Sequence, residues 1–465
     1  MAKIGISAAS DYHLSHQFCQ PQNLWPTLTE PWCELIQTIP ARSVVLINET
    51  NPSRFLAYLW TGLLANATLV LANPHWKQQE WQQVAQQLTP DVILGETPPV
   101  SFGLSTQQPE PGHILIATGG TSGQIKFVIH TWASLIASAQ GFLTHFNQQP
   151  VNSYCVLPLY HVSGLMQAIR VWLSPGKLII QPFKQLEAGQ RLTPPDRTWF
   201  ISLVPTQLQR LLKNDNTQAW LSQFRAILLG GAPAWPALLT QAAQLPIALT
   251  YGMSETAAQV ATLLPEEFQQ GIRSNGQPLP HVTLAVHALH SSQPLPVGTV
   301  GRVALKSSAL GRGYWSGTEF SSHHGWFYPD DLGYLDQQGH LHIVGRNSQK
   351  IITGGENVFP AEVEAALLAT GLLQDVCIVG LPDSVWGQTV AALCVPGDDR
   401  QSTLTPAMVK AALVPLLSAY KHPKQWCFVE IIPRNAQGKV NRSQVVAQLT
   451  ASIALSRDSV DDADG

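Results

Sequence analysis

The chain has 465 residues, of which 45% are hydrophobic and 12% charged, with a formal net charge of −3. That length exceeds one small core, and so apolar a composition excludes extensive disorder. The slightly acidic balance excludes a protein that grips nucleic acid through bulk positive charge.

Strands are predicted at 44–47, 68–71, 91–94, 113–117, 154–157, 178–180, 199–203, 226–229 and 247–250, with helical periods such as 132–146 and 205–212 between them. Residues 55–72 (FLAYLWTGLLANATLVLA) carry no charge over nearly the length of a membrane-spanning helix. Gly62, Asn66 and Thr68 interrupt that run, so a helix over 54–65, a turn and a strand over 68–71 are expected instead. Several strands are apolar on both faces, as in Ile114-Leu115-Ile116 and Ala226-Ile227-Leu228-Leu229. Alternation of such strands with helices predicts an α/β fold, with mostly parallel sheets covered by helices.

After about Val282 the strands become short and turn-rich, which predicts a small β subdomain. From about Asn347 a last α+β section is expected, with helices at 360–369 and 405–417 and strands at 376–379, 390–395 and 428–431. A boundary near Gly345–Arg346 separates residues 1–345 from 351–456. The acidic tail 457–465 (RDSVDDADG) is expected to be disordered. Met1 to Ser10 lacks a long apolar run, so no secretory leader is expected. Cysteines at 19, 33, 155, 377, 394 and 427 form no CxxC pair, which favours a reducing compartment over a disulfide framework.

Four segments suggest chemistry. Thr118-Gly119-Gly120-Thr121-Ser122-Gly123-Gln124-Ile125-Lys126 follows a strand. Its glycines permit positive φ, its hydroxyls donate, and Lys126 adds charge, as phosphate binding requires. Taken alone, such a loop is more often an ordinary turn. In Thr250-Tyr251-Gly252-Met253-Ser254-Glu255-Thr256, Ser254 suits a phosphate oxygen and Glu255 suits Mg²⁺; a helix N-cap at Ser254 is an equal reading. Asp331, in Gly325-Trp326-Phe327-Tyr328-Pro329-Asp330-Asp331, suits two ribose hydroxyls or a β-turn. Lys439, in Pro433-Arg434-Asn435-Ala436-Gln437-Gly438-Lys439-Val440, suits a transferring phosphoryl group or a solvated loop.

In this order, with IITGGENVFPAEVE at 351–364 and PRNAQGKVNR at 433–442, the chain resembles the adenylate-forming superfamily over residues 40–445. That superfamily holds acyl-CoA and aryl-CoA ligases, peptide-synthetase adenylation domains and luciferases. The resemblance implies a mobile C-terminal domain on a hinge at 346–350. It implies ATP phosphates on Thr118, Gly119, Gly120, Thr121, Ser122 and Gly123, with Lys126 as a catalytic cation. Adenine would lie against Gly230, Gly231, Ala232, Pro233 and Tyr251, phosphate on Ser254, Mg²⁺ on Glu255 and ribose on Asp331 and Arg346. Lys439 would bridge the acid and the α-phosphate, and Gly354-Gly355 would line the CoA passage. Gly119, Ile125, Pro329 and Asn347 depart from the usual pattern, which bears on loop dynamics and rate.

The acid is narrowed by Leu157-Pro158-Leu159-Tyr160-His161-Val162-Ser163-Gly164. Amino-acid-activating relatives usually carry Asp where His161 stands, which argues against an amino acid. Arg170 sits in an apolar helix beside Ile169 and Val171. Its planar fork matches a second substrate carboxylate; an arginine reaching solvent from a helix edge is an equal reading. HVSG with Arg170 and Trp172, and YGMSETAAQVATL at 251–263, are similar to the 2-succinylbenzoate–CoA ligases of menaquinone and phylloquinone synthesis. That similarity implies acid binding by His161, Ser163, Arg170 and Gly252, with His161 also catalytic. It implies ATP, CoA and a small acid as substrates, Mg²⁺ as cofactor and a cytoplasmic enzyme with no nucleic-acid partner and no transmembrane segment. Homo-oligomer formation is left open. The alternatives are another aryl- or acyl-CoA ligase and a catalytically silent binding protein of the same fold. His281, His287 and His290 fit no common zinc spacing.

Overall fold

The computed structural model describes residues 39–103, 110–119, 124–174, 176–192, 196–315, 317, 320, 322–397, 403–434 and 440–461. The first sheet holds β1 (Val44–Asn48), β2 (Thr68–Leu71), β3 (Val92–Gly95), β4 (His113–Gly119) and β5 (Ile125–Thr131), in the order β3-β1-β2-β4-β5. The first four are parallel, and β5 returns antiparallel to β4. Alternate residues divide between two cores. Val45, Ile47, Leu69, Leu71, Ile114 and Ile116 meet α1 (Pro52–Leu64), α3 (Trp132–Phe146) and α4 (Val162–Leu173). Val44, Leu46, Val70 and Leu115 meet Trp81 and Val84 of α2 (Gln78–Gln87). Burial on both faces explains why these strands read as continuous apolar runs.

The uncharged run 55–72 forms α1, a turn and β2. Asn51 caps α1, its side chain accepting from the Ser53 and Arg54 amides, and Pro52 occupies the first turn, where no amide is needed. No helix among the described residues is long and apolar enough to cross a membrane.

The second sheet runs β12-β11-β10-β9-β8-β6-β7. Its strands are β6 (Asn152–Cys155), β7 (Leu178–Ile180), β8 (Trp199–Leu203), β9 (Ala226–Leu229), β10 (Ile247–Met253), β11 (Ala258–Thr262) and β12 (Gln277–Pro278). β6 to β10 are parallel, and β11 and β12 close the edge antiparallel. β6 ends at Cys155, two residues before the expected end, because Leu157-Pro158 turns the chain into α4. β6 has β7 on one side and β8 on the other, so the winding reverses there. Crevices at the carboxyl ends of parallel strands open at such reversals.

The β subdomain expected after Val282 is a third sheet, and it is antiparallel: β13 (Val282–His287), β14 (Gly301–Ser307), β15 (Ser322–His323), β16 (Trp326–Phe327), β17 (Asp331–Leu335) and β18 (Leu341–Arg346). One 3₁₀ turn, Asn347–Gln349, leads to the fourth sheet of β19 (Ile351–Thr353), β20 (Glu356–Val358), β21 (Leu373–Asp383), β22 (Gly387–Pro396) and β23 (Gln425–Phe428). β23 starts three residues before the expected 428, because its register pairs Ala391 with Gln425. The helix Pro406–Leu413 stops short of 417 because Pro415 follows. The last helix, Arg442–Asp461, runs into the segment expected to be a disordered tail; no Gly or Pro interrupts it. Helix Pro360–Ala369 joins the second and fourth sheets, with Leu368 packed against both cores.

Candidate active site

The expected nucleotide side begins at the β4–β5 hairpin. Thr118 and Lys126 face each other in register. Gly120, Thr121, Ser122 and Gly123 lie outside the described residues, as does Lys439. Lys126 stands on β5, a strand that sequence reasoning missed. Its ammonium lies 5.3 Å from the centre of the Tyr314 ring, and the Tyr314 hydroxyl donates to Oε1 of Glu255 at 2.7 Å.

Glu255 sits in the 3₁₀ turn Ser254–Thr256, directly after β10. The N-cap residue is Met253, so the reading of Ser254 as a helix N-cap is corrected; the strand runs past the expected end at 250 as far as Met253. The turn is held from beneath. His130 Nε2 lies 2.6 Å from the Ser254 carbonyl and Nδ1 lies 3.0 Å from Ser134 Oγ. Ser138 Oγ donates to the Ala257 carbonyl at 2.6 Å. Burial pulls the His130 pKa down to about 4, so the ring is neutral at physiological pH. Ala257 and Ala258 take φ of 50° and 86°, a costly region for residues with a Cβ, and these bonds offset that strain.

Asp331 opens β17 and pairs with Arg346 of β18. Tyr251 donates to its Oδ2 at 2.7 Å, and Arg346 Nε lies 3.5 Å from Oδ1. Burial raises the Asp331 pKa, opposed by the Arg346 charge and the Tyr251 hydrogen bond. Its neighbour Asp330 turns the other way and accepts from the Asn347 and Ser348 amides. Gly230 and Gly231 follow β9. A Cβ at Gly230 would collide with Thr250 Oγ1, and Gly231 has φ +79°. Gly231, Ala232 and Pro233 are exposed. Thr118, Lys126, Tyr314 and Glu255 thus form one chain of contacts and Tyr251, Asp331 and Arg346 a second, which meet the carboxyl end of β10 at Glu255 and Tyr251.

The residues expected to bind the acid stand on α4. His161 is its N-cap, Ser163 is exposed in the first turn, and a Cβ at Gly164 would collide with the Pro158 carbonyl. Arg170 is only 3% exposed, so the reading of a helix edge reaching solvent is corrected. Its Nη2 donates to Gln259 Oε1 at 2.8 Å, and its guanidinium lies 4.0 Å from the centre of the Phe142 ring. Nε is buried with no hydrogen-bond partner, and no carboxylate pairs with the residue among those described. Burial lowers its pKa to about 9, which leaves it charged at neutral pH. Gln259 sits on β11 opposite Gly252, so Arg170 is tied to the strand that carries the Ser254 turn. Ser163, Gln167 and Arg170 share a helix face by their four- and three-residue spacing.

Gly354 and Gly355 form the tight turn between β19 and β20, with φ of +60° and +85°. Both angles suit glycine, and a Cβ at Gly354 would collide with Trp386. The turn's neighbours belong to the fourth sheet rather than to the nucleotide side. His281 packs under Gly141, His287 bonds Tyr328 at 2.9 Å, and His290 is exposed, so the three diverge.

Sequence reasoning missed Tyr314, His130 and Gln259. The alternation in IKFVIHT was a signal for β5 and His130; nothing local marked the other two.

The profile of the AMP-binding enzyme family matches residues 102–315, and that of the AMP-binding enzyme C-terminal domain matches 362–439. The 2-succinylbenzoate–CoA ligase of Geobacillus kaustophilus is 33% identical over 338 residues, covering 71% of this chain and 68% of that protein. The 2-succinylbenzoate–CoA ligase of Enterococcus faecalis is 33% identical over 340 residues, covering 72% and 69%. The o-succinylbenzoate CoA synthetase of Bacillus subtilis, solved with its acyl-adenylate intermediate, shares the fold with a TM-score of 0.81 at 23% identity, covering 95% of this chain and 97% of that one. ATP-bound MatB from Rhodopseudomonas palustris shares it with a TM-score of 0.76 at 21% identity, covering 91% and 93%. The chain therefore belongs to the adenylate-forming AMP-binding enzyme family, among the relatives of the 2-succinylbenzoate–CoA ligases.

Proposed function

We propose that this chain ligates CoA to 2-succinylbenzoate, converting acid, ATP and CoA to acyl-CoA, AMP and pyrophosphate in quinone biosynthesis. The observation that carries the reading is Arg170, a buried cation whose guanidinium makes its only described hydrogen bond to a neutral amide. A buried arginine without a counter-ion is costly. A second carboxylate on the substrate would neutralise it; a fatty acid or simple benzoate has none to spare. The curated relatives at 33% identity carry the same activity in their names.

In the first half-reaction a substrate carboxylate oxygen attacks the α-phosphorus of ATP and pyrophosphate leaves. Asp331 and Arg346 hold the ribose, Gly230, Gly231 and Tyr251 bound the adenine, and Lys126 faces the phosphates. Lys439 bridges the attacking carboxylate and the α-phosphate, where positive charge stabilises the charge spreading over the transferring group. Glu255 fits Mg²⁺, which takes one or two carboxylates and completes its shell with phosphate and water. Its Oε2 has no partner among the described residues. Mg²⁺, when bound, neutralises phosphate charge. In the second half-reaction the CoA thiol attacks the acyl carbonyl and AMP leaves. His161 shapes the place where the acyl group reacts, and Gly354-Gly355 line the passage of the CoA arm. The unit 351–456 rotates about 346–350 between the halves, since one arrangement does not present both Lys439 and the CoA passage. Dependence on ATP and CoA supports a cytoplasmic reaction.

The test is pyrophosphate release across 2-succinylbenzoate, benzoate, hydroxycinnamates and fatty acids, with and without CoA. Release with 2-succinylbenzoate alone supports the reading. Equal use of benzoate would remove the Arg170 argument and leave another aryl-CoA ligase.

A further inference from the structure

Residues 312–315 continue the first sheet beyond β5. The Arg312 amide donates to the Ile129 carbonyl, the Ile129 amide to the Gly313 carbonyl and the Trp315 amide to the Phe127 carbonyl, at 2.8, 2.9 and 2.8 Å. Val128 stands opposite Tyr314 in an antiparallel bridge. This register sets Tyr314 between two opposite charges. Its hydroxyl donates to Glu255 Oε1 at 2.7 Å, and its ring centre lies 5.3 Å from Lys126 Nζ. The Gly311 amide donates to the Glu255 carbonyl at 2.8 Å. Glu255 is therefore held by both side chain and backbone from one short segment. The ring also meets Phe320 edge-on at 5.0 Å, so its packing does not depend on the hydroxyl.

A free glutamate loses side-chain rotamer entropy when it captures a ligand. A carboxylate already fixed by a charge-assisted hydrogen bond does not lose it again at that moment. We propose that Tyr314 is a positioning residue for both charges: its hydroxyl fixes Glu255 in the rotamer that receives a divalent cation, and its ring face holds the Lys126 ammonium beside that carboxylate. This rests on the reading of Glu255 as the Mg²⁺ carboxylate.

The experiment reads Mn²⁺ binding to the full-length chain by the electron paramagnetic resonance of the free ion, with α,β-methylene-ATP as a non-cleavable nucleotide. Tyr314→Phe keeps the ring and its contacts with Lys126 and Phe320, and removes only the hydroxyl. It is expected to weaken Mn²⁺ binding about five- to tenfold, the scale of re-ordering one glutamate side chain. Its melting temperature should stay near that of the parent, which separates positioning from folding. Tyr314→Leu removes the ring as well, and should also weaken the nucleotide analogue measured without metal. Glu255→Gln controls for the reading beneath the proposal and should abolish the tight Mn²⁺ site. Unchanged or tighter Mn²⁺ binding by Tyr314→Phe, with Glu255→Gln impaired, overturns the role of Tyr314 alone. Unchanged binding by Glu255→Gln overturns the metal reading, and the proposal with it.

Discussion

Tyr251 donates its phenolic hydrogen to Oδ2 of Asp331 at 2.7 Å, joining a strand of the parallel sheet to the first residue of an antiparallel one. Asp331 keeps its other oxygen beside Arg346. A buried carboxylate so placed is oriented before any ribose arrives. Asp331→Asn removes the charge and should raise the KM for ATP roughly tenfold, the scale of one charged hydrogen bond. The KM for the acid should change little. Initial rates against ATP at saturating acid check this; an unchanged KM for ATP would refute the ribose reading.

Arg170 should govern the acid alone. Arg170→Ala leaves Gln259 Oε1 without its donor, while Gln259 Nε2 still donates to Thr262, and removes the cation a second carboxylate would meet. The KM for 2-succinylbenzoate should rise about a hundredfold, or roughly 3 kcal/mol, while ATP affinity holds. Arg170→Lys should rescue only part of it, because an ammonium cannot reproduce the planar fork. Comparable losses for ATP and acid would mean that Arg170 serves packing against Phe142 instead.

Apolar periodicity made the parallel strands legible. β1, β2 and β9 are buried on both faces, so their runs stand out within one residue of their true ends. β5 carries Lys126 and His130 among its apolar residues and pairs across a hairpin, so its short alternation was not read as a strand. The site shows the same division. Glu255, Asp331 and Arg346 lie in motifs with local spacing. Tyr314 meets Glu255 across 59 positions and Gln259 meets Arg170 across 89, and no local pattern encodes those registers. Burial of Arg170 likewise depends on Phe142 and β11, which the helix's own sequence does not specify.

Stability should fall in acid. His130 has a folded pKa of about 4 against an ordinary 6.5, because burial penalises its charge. His281 is lowered to about 4 as well, by burial and by Arg170. Between those values the unfolded chain binds protons that the folded chain does not, so stability is full above about pH 6.5 and is lost as pH falls toward 4. One such histidine contributes on the order of 3 kcal/mol across the window. Unfolding measured from pH 4.5 to 7.5 should show the slope, and His130→Asn should remove one histidine's share. A flat profile in the parent would contradict the buried neutral ring.

Lys439 should separate the two half-reactions. On the proposed role, its charge acts where the carboxylate meets the α-phosphate, and not where the thiol displaces AMP. Lys439→Ala should slow adenylation by about 10²–10³, the cost of losing one preorganised charge-stabilising group. Thioester formation from preformed acyl-adenylate should fall far less. Single-turnover assays of each half resolve this, and equal losses would remove the assigned role.

Gly252 should fail in a different way from either binding residue. It pairs with Gln259, next to an irregularity in the β10–β11 register. A Cβ there would collide with the carbonyl of Ala258 and crowd the Gln259 Cα. These are backbone atoms and cannot rotate aside, so Gly252→Ala must part the two strands, at about 1–3 kcal/mol of overpacking strain. Ala258 follows the turn that carries Glu255, and Gln259 holds Arg170. Moving β11 therefore disturbs both halves at once. The KM for ATP and the KM for the acid should rise together and the melting temperature should drop, whereas Asp331→Asn moves only the first and Arg170→Ala only the second. A Gly252→Ala enzyme impaired for the acid alone would mean that Gly252 acts by lining the acid pocket, with β10 and β11 still paired.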